Sequence, residues 1–172
     1  MGSSYSRRRR PSATPGLFIF LVSAGSLGFA FYAQYIQKLL PCLLCLYQRV
    51  PYYSVLGLAL VSLLFLRQPG ISRGLIYLCA LAFAIGAGIA FYHVGVQELW
   101  WDGPEMCGGL QSGASNVADL KAQLLAQPIV RCDKVEWKLF GITMPTVNMY
   151  FSAAMAIFCL MAPTSKMMRT HN

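Results

Sequence analysis

Four long apolar stretches constrain this chain more than any other feature of its sequence. They run from Leu17 to Ile36, from Pro51 to Leu66, from Leu75 to Val96 and from Ile142 to Ala162. A helix needs about 20 apolar residues to cross the hydrocarbon core of a bilayer. The second stretch is short alone, but residues 41–50 ahead of it carry a single charge and can complete the crossing. The sequence therefore predicts an all-α, polytopic membrane protein, built as a bundle of four transmembrane helices.

Composition and charge exclude other classes of protein. Of the 172 residues, 56% are hydrophobic and 12% are charged, whereas a soluble domain is about a quarter charged. The formal net charge of +8 is not gathered on one module, as it would be in a nucleic-acid-binding protein. Most of the cations lie near the ends of the predicted spans, where Lys and Arg fix membrane orientation. We therefore expect membrane lipid as the surroundings of the chain, and no nucleic acid as a partner.

The distribution of charge predicts how the spans are oriented. The basic tail 1–16, the short segment 67–74 and the tail 163–172 contain cations and no acid. All six Asp and Glu residues lie in the loop 97–141, and the other loop on that side is residues 37–50. Because Lys and Arg stay preferentially in the cytoplasm, both termini are predicted to be cytoplasmic and both loops external. A cleaved signal peptide is the alternative for the start of the chain, but its apolar run is too long and no small-residue cleavage site follows.

The six cysteines sort into two groups by this topology. Cys79 and Cys159 fall within spans, and we expect them to be buried, inert core residues. The other four fall in the external loops, where an oxidising environment favours disulfides and four cysteines can pair in three ways. They are Cys42, Cys45, Cys107 and Cys132.

Three kinds of chemistry compete for the four external cysteines. Structural disulfides are one, but the Cys42-x-x-Cys45 ring encloses few residues and removes little chain entropy. A zinc site is another, but such a site usually joins two close pairs, and Cys107 and Cys132 lie far apart in the sequence. A redox relay that exchanges disulfides between the two pairs fits the spacing best. We therefore take all four as candidate catalytic residues and predict no metal site.

Polar residues near Cys45 form a candidate site for a lipid-soluble electron acceptor. Arg49 lies one helical turn beyond Cys45, and His93 and Gln97 are four apart at the outer end of the third span. They could donate hydrogen bonds to quinone oxygens. The alternatives are that Arg49 snorkels to lipid head groups and that the other two are only solvated at the interface. Pro51 disfavours helix just before it, which would put the cysteine pair on a short turn ahead of the span.

Several of these motifs occur together in the chain. They are the four spans, the sequence Cys42-Leu-Leu-Cys45-Leu-Tyr-Gln-Arg49, a second external cysteine pair, and Trp137 followed by Gly141-Ile-Thr-Met-Pro145. Over about residues 17–162, the chain resembles the disulfide bond formation protein B family, DsbB. The resemblance implies an enzyme of the bacterial inner membrane with periplasmic loops. Such an enzyme reoxidises DsbA, a periplasmic thiol oxidase, and passes the electrons to ubiquinone or menaquinone.

The resemblance also implies a role for each cysteine pair. The loop pair, Cys107 and Cys132, matches the cysteines that meet the thiol oxidase, and the Cys-x-x-Cys pair matches those beside the quinone. Cys45 would be the thiolate that contacts the quinone ring, with Arg49 as its electrostatic support. Polar contacts at the end of the third span would come from His93 and Gln97.

The chain departs from the family pattern at two places, and two alternative functions are also considered. The chain has Val147 where many members carry an aromatic residue, and a Gly-rich segment after Cys107. The vitamin K epoxide reductase family also couples thiols to quinones, but there the Cys-x-x-Cys typically follows the loop cysteines, whereas here it precedes them. A disulfide-stapled membrane scaffold is the non-enzymatic alternative.

Overall fold

The structure is a computed structural model that describes residues 13–104, 131–132, 138–139 and 141–164. Cys107, most of the long loop and most of both tails lie outside these residues. The described chain forms four long helices, α1 (Thr14–Tyr35), α2 (Leu43–Leu64), α3 (Pro69–Gln97) and α4 (Met144–Met161). A short antiparallel hairpin of β1 (Lys138–Leu139) and β2 (Ile142–Thr143) precedes α4. The predicted all-helical architecture is confirmed.

Three of these helices, α1, α3 and α4, are long and apolar enough to cross a membrane. Helix α2 has the same length as α1, 22 residues, but its first half carries the polar Gln48 and Arg49. Large apolar side chains are exposed on every helix, including Leu21 at 58%, Leu64 at 73%, Leu81 at 58% and Ile157 at 57%. Apolar surface on this scale is typical of a protein that faces lipid.

Helix α2 begins at Leu43, within the residues 41–50 that the sequence allows to extend the second span. Cys42 is its N-cap, and the Cys42 sulfur accepts a hydrogen bond from the backbone N–H of Cys45 at 3.3 Å. Pro51 lies inside the helix, so the expectation of a separate turn before it is wrong, and the connection to α1 is only residues 36–42. A proline removes one helical hydrogen bond. Pro51 is accommodated because it packs against Gly86 of α3, where an added Cβ would lie 3.3 Å from the Pro51 Cβ.

The four helices pack around one apolar core. Helix α2 packs against α1 and α3, and α3 packs against α2 and α4. The buried residues that form this core are Ile19, Leu27, Tyr52, Val55, Ala59, Ile76, Cys79, Ala80, Phe83, Met155, Ala156 and Cys159. Cys79 and Cys159 are both 0% exposed, so the prediction that they are buried core residues is confirmed.

The two ends of the bundle differ. At the end where α1 begins and α4 finishes, the rings of Phe18 and Phe158 lie 5.1 Å apart and join these two helices. The opposite end, which we call the cysteine end, contains the last turns of α1 and α3 and the first turns of α2 and α4. There a cavity lies between α1 and α4. The fold thus leaves open space beside Cys42 and Cys45.

Candidate redox site

Cys42 and Cys45, which we call the inner pair, lie one helical turn apart at the start of α2. Both are free thiols, and their Sγ atoms are 2.8 Å apart. Cys42 is 5% exposed, and Cys45 is half-buried. The N-terminus of a helix carries partial positive charge, which favours a thiolate at this position. The geometry is that of a reduced redox pair that shares a proton.

The surroundings of Cys42 favour its thiolate form. Its hydrogen bond with the Cys45 thiol is the strongest of several influences that lower the pKa of Cys42 to about 5. Burial opposes this shift, while His93 and the backbone N–H of Cys45 reinforce it. The reduced inner pair therefore carries its negative charge on Cys42 and its remaining proton on Cys45. The resemblance implied a thiolate at Cys45, which has to belong to another stage of the reaction.

The pH dependence of alkylation is expected to reveal the lowered pKa of Cys42. A group with a pKa of about 5 is a thiolate above that pH, so alkylation of reduced Cys42 should rise through about pH 5 and level off near neutrality. An ordinary thiol has its midpoint near about pH 8.5 instead. Mass spectrometry after brief iodoacetamide treatment would measure the midpoint, with the denatured chain as control. A folded-state midpoint equal to the denatured one would contradict the assignment.

Cys132 lies directly beside the inner pair. Its side chain is 1% exposed and packs in a small cluster with Cys42, Leu44 and Val96. Cys132 is disulfide-bonded, and its partner is none of the other four described cysteines, because all of those are free. The predicted partner, Cys107, lies outside the described residues. The pairing of Cys107 with Cys132, which we call the outer pair, therefore stays a prediction.

His93 lies between the inner pair and Cys132. The ring is 1% exposed. Its Nε2 is 3.7 Å from the Cys42 sulfur and 3.3 Å from the backbone oxygen of Cys132. Its Nδ1 is 2.8 Å from Nε2 of Gln48. Both ring nitrogens therefore have protein partners, one on the side of the cysteines and one on the side of α2.

A cavity of about 580 Å³ opens beside the inner pair. Its walls come from the cysteine end of all four helices, and most of its surface is apolar. Sites for small molecules are commonly apolar cavities of about 300–1,000 Å³ with a few polar groups. The polar residues that the sequence singled out all line this cavity together with the inner pair. They are Arg49, His93 and Gln97.

Arg49 is held on the cavity wall by α1. Its Nη1 donates to Oε1 of Gln34 at 2.6 Å, and its Nη2 donates to the backbone oxygen of Ala30 at 3.4 Å. The guanidinium carbon lies 5.3 Å from the ring centre of Phe31. These bonds use two of the five N–H groups of a guanidinium. The side chain thus has a fixed place at the cavity, which disfavours the alternative of snorkelling to lipid head groups.

Gln97 also lines the cavity and carries a buried acceptor atom. Its Oε1 is buried and has no hydrogen-bond partner within the described part of the chain. An unpaired buried acceptor costs about 1–3 kcal/mol, so such an atom is typical of a site that a ligand completes. The donor on Arg49 and the acceptor on Gln97 line one apolar space, and this combination fits a flat, mostly apolar molecule with oxygen atoms.

Cys42, Cys45 and His93 are also close enough to be considered as metal ligands. Their donor atoms lie within 4.8 Å of one another. Two sulfurs bound to one tetrahedral zinc ion would be about 3.8 Å apart, given zinc–sulfur bonds of about 2.3 Å. The observed separation of 2.8 Å fits a hydrogen bond between a thiol and a thiolate instead. The arrangement therefore favours redox chemistry over metal binding.

Comparison with known proteins decides the family. Residues 12–162 match the family model described as disulfide bond formation protein DsbB. The chain belongs to the DsbB family. Disulfide bond formation protein B of Xylella fastidiosa (strain 9a5c) is 32% identical over 149 residues, covering 83% of this chain and 84% of the relative. The protein of the same name from Methylobacillus flagellatus is 30% identical over 151 residues, covering 85% and 90% of the two chains.

Membership of the DsbB family confirms the resemblance drawn from the sequence. A more distant relative, disulfide bond formation protein B of Acinetobacter baumannii, is 28% identical over 153 residues, 84% of this chain and 86% of the relative. The chain is therefore a membrane protein of a disulfide-forming family, which is consistent with an oxidoreductase. The match also favours DsbB over the vitamin K epoxide reductase family as the source of its thiol chemistry.

Several polar residues of this DsbB-family site were missed in the sequence, and three of them bond to one another. Asn148 donates from Nδ2 to Oε1 of Gln48 at 2.6 Å, and Tyr52 donates from its hydroxyl to Oδ1 of Asn148 at 2.6 Å. All three line the cavity. A signal for Asn148 was present, since it is an amide inside an otherwise apolar stretch, and polar groups at membrane depth usually have partners or a function.

Proposed function

We propose that this protein is a thiol:quinone oxidoreductase that reoxidises a DsbA-type thiol oxidase and passes the electrons to ubiquinone or menaquinone in the membrane. One observation carries the proposal: the free thiols of the inner pair line the cavity, and Cys42 also packs against Cys132. Cys132, the inner pair and the cavity are therefore adjacent. This arrangement supports transfer of electrons from the outer pair through the inner pair to an acceptor in the cavity.

Cys42 is the inner cysteine best suited to exchange with the outer pair. It shares a buried cluster with Cys132, whereas Cys45 is only partly buried at the edge of that cluster. A thiolate of the reduced outer pair attacks Cys42, the Cys42–Cys45 bond breaks, and its electron pair stays on Cys45. Cys45 is then a thiolate beside the cavity while Cys42 is held in a mixed disulfide. This stage supplies the Cys45 thiolate that the resemblance implied, whereas the low pKa of Cys42 belongs to the fully reduced inner pair.

Resolution of the mixed disulfide completes the transfer. The second outer cysteine attacks its partner, the outer disulfide closes, and the electron pair of the broken bond leaves on Cys42. Two electrons have then moved from the outer pair to the inner pair. The described cysteines are in the state that this transfer leaves, since Cys132 is disulfide-bonded while Cys42 and Cys45 are free.

The cavity fits the head group of a quinone. A bound quinone would supply an acceptor for two electrons and two protons. Arg49 would donate a hydrogen bond to one quinone oxygen, and Oε1 of Gln97 would accept one from the reduced form. His93 also lines the cavity, but its Nε2 lies beside the Cys42 sulfur and the backbone oxygen of Cys132. Val147, where the chain departs from the family pattern, forms part of the apolar wall.

We further propose that all four helices cross the inner membrane, with both termini in the cytoplasm and the cysteine end in the periplasm. Helix α2 is the least apolar, but its polar residues Gln48 and Arg49 bond to α4 and α1 and so do not have to meet lipid. At the opposite end, Arg67 lies in the connection between α2 and α3, and Arg73 lies near the start of α3. Their position there supports a cytoplasmic location for that end.

Labelling of Cys107 in intact cells is expected to reveal this orientation. After mild reduction, a membrane-impermeant maleimide should react with Cys107 without opening of the cells, because the long loop is proposed to be periplasmic. A cysteine introduced by Arg169→Cys serves as the matched control, since it should react only after the inner membrane is opened. Labelling of Cys107 only in opened cells would overturn the topology.

The proposed activity is tested with the purified protein in lipid vesicles. With a reduced DsbA-type protein as donor, we expect two donor thiols to be lost for each quinone whose oxidised absorbance disappears. Parallel assays with ubiquinone and menaquinone identify the acceptor. Failure of both quinones to be reduced would refute the proposal and leave the stapled scaffold as the alternative. Reduction of a vitamin K epoxide without exchange with the donor would instead favour the other enzyme class.

A further inference from the structure

Five polar side chains form a hydrogen-bonded series that runs from the interior of the bundle to the inner pair. Ser152 lies 2.9 Å from the hydroxyl of Tyr52, Tyr52 bonds to Asn148, and Asn148 bonds to Gln48, both at 2.6 Å. Gln48 reaches Nδ1 of His93 at 2.8 Å. We call this set the polar series. It joins α2, α3 and α4, and four of its members are buried, namely Ser152, Tyr52, Gln48 and His93.

Helix packing alone does not account for the polar series. Apolar residues of similar volume would pack these helices without the cost of taking polar groups out of water. Here every member has a partner. A fully satisfied buried network fixes the orientation of its side chains.

Each hydrogen bond in the series has a defined direction. Tyr52 donates to Oδ1 of Asn148, which leaves the Asn148 amide nitrogen to donate to Oε1 of Gln48. The Gln48 nitrogen therefore faces His93. An amide nitrogen only donates, so Nδ1 of His93 is the acceptor of this bond. The direction of donation thus runs from the tyrosine hydroxyl to the imidazole ring.

This direction determines the tautomer of His93. A neutral imidazole that accepts at Nδ1 carries its hydrogen on Nε2. That nitrogen lies 3.7 Å from the Cys42 sulfur and 3.3 Å from the backbone oxygen of Cys132. The Nε2–H group can therefore donate either to the backbone beside the outer pair or to the sulfur of the inner pair. In the other tautomer a lone pair would face the Cys42 sulfur and would repel a thiolate.

We propose that Asn148 and Tyr52 are positioning residues that act through Gln48 to hold His93 in the tautomer whose Nε2–H faces Cys42. This inference rests on the proposed function, because it gives these residues a role in disulfide exchange between the outer and inner pairs. When the outer disulfide closes, the bond between the outer sulfur and Cys42 breaks and the electron pair leaves on Cys42. The Nε2–H of His93 donates to the charge that forms there, and no proton has to leave the ring. The polar series thus assists the step that delivers electrons to the inner pair.

Nitrogen-15 NMR of labelled histidine tests the inference directly. The chain contains only two histidines, so a His171→Ala background leaves His93 as the sole signal. In the anaerobically reduced full-length protein, we expect hydrogen on Nε2 and none on Nδ1. The informative variant is Asn148→Asp, which keeps the shape of the side chain but replaces the amide donor by a carboxylate that only accepts.

Asn148→Asp is expected to reverse the tautomer. Gln48 would then have to turn its nitrogen toward residue 148 and its oxygen toward His93, which requires hydrogen on Nδ1. With the Nε2 donor lost, the alkylation midpoint of Cys42 should rise by about one pH unit and exchange between the pairs should slow about tenfold. Tyr52→Phe, which removes one oxygen atom, should give a mixture of the two tautomers. It should slow exchange between the pairs less than Asn148→Asp does.

Two matched controls separate positioning from packing. Tyr53→Phe removes a hydroxyl from the neighbouring, exposed tyrosine. Ser62→Ala breaks a buried hydroxyl pair between α2 and α3, where Ser62 and Ser72 are 2.9 Å apart. Both controls should keep the Nε2 tautomer and the exchange rate. If Asn148→Asp and Tyr52→Phe also keep the Nε2 tautomer, the inference is overturned. The NMR measurement needs neither donor nor quinone, so failure of the proposed function would show separately, as absence of wild-type turnover.

Discussion

Replacement of Cys45 by alanine is expected to abolish quinone reduction while leaving the helical bundle folded. In the proposed order Cys45 is the sulfur that faces the cavity, and Cys42 is the one that exchanges with the outer pair. Without Cys45 the inner disulfide cannot form, so electrons have no route from the outer pair to the acceptor. We expect turnover to fall by about a thousandfold or more, as is usual when a covalent nucleophile is removed. The assay is donor-dependent quinone reduction in lipid vesicles.

The matched controls are Cys79→Ala and Cys159→Ala, which make the same chemical change in the apolar core. Both cysteines are 0% exposed and lie in the core away from the cavity. They should retain turnover, with at most a modest loss of thermal stability from the small cavities they leave. Wild-type turnover in Cys45→Ala, or loss of turnover in the two folded controls, would show that the inner pair is wrongly assigned.

Replacement of Arg49 by alanine is expected to weaken the use of quinone without slowing exchange between the outer pair and its donor. The guanidinium lies on the cavity wall, anchored to Gln34 and Ala30, and supplies a cation beside the proposed Cys45 thiolate. Loss of a cation beside a partly buried thiolate is worth about one pKa unit, or roughly 1.4 kcal/mol. The apparent quinone affinity should therefore fall by about tenfold.

Arg49→Lys distinguishes charge from geometry at the same position. Lysine keeps the charge but lacks the planar fork that bonds to two partners at once. The apparent quinone affinity of this variant should therefore lie between those of wild type and Arg49→Ala. If Arg49 only anchored the chain at the head groups, lysine would substitute fully. The matched control is Arg73→Ala at the other end of the bundle, which should leave quinone affinity unchanged. Kinetics at varied quinone concentration would measure all three variants, and an unchanged affinity in Arg49→Ala would remove Arg49 from the site.

The helices could be predicted from sequence because the bilayer imposes a length on every apolar span. The predicted starts and ends of the first, third and fourth spans lie within a few residues of α1, α3 and α4, apart from the N-terminal turns of α3. The start of α2 could not be predicted in this way. Its first turns depend on the Cys42 cap and on the space that Gly86 leaves for Pro51. Contacts between distant segments decide both features, and local preference alone favours a break.

The candidate site was predicted only as a set of residue types. Spacing along one helix brought Cys45 and Arg49 together, and the resemblance supplied roles for the cysteines. The contacts that join α2, α3 and α4 through Gln48, His93 and Asn148 depend on how each helix is rotated about its axis, which periodicity in a fully apolar span does not reveal. The charge state of the inner pair was equally beyond sequence, because a helix N-terminus and burial act in opposite directions.

The central claim is that electrons from the outer pair reach the quinone only through the inner pair. The most direct measurement is the amount of quinone reduced by fully pre-reduced protein, mixed anaerobically with excess quinone and no donor. Wild-type protein should reduce two quinones per chain, and the variant with Cys107→Ala and Cys132→Ala should reduce one. The variant with Cys42→Ala and Cys45→Ala should reduce none, although its outer pair is reduced and carries two electrons. Quinone reduction by this last variant would contradict the account.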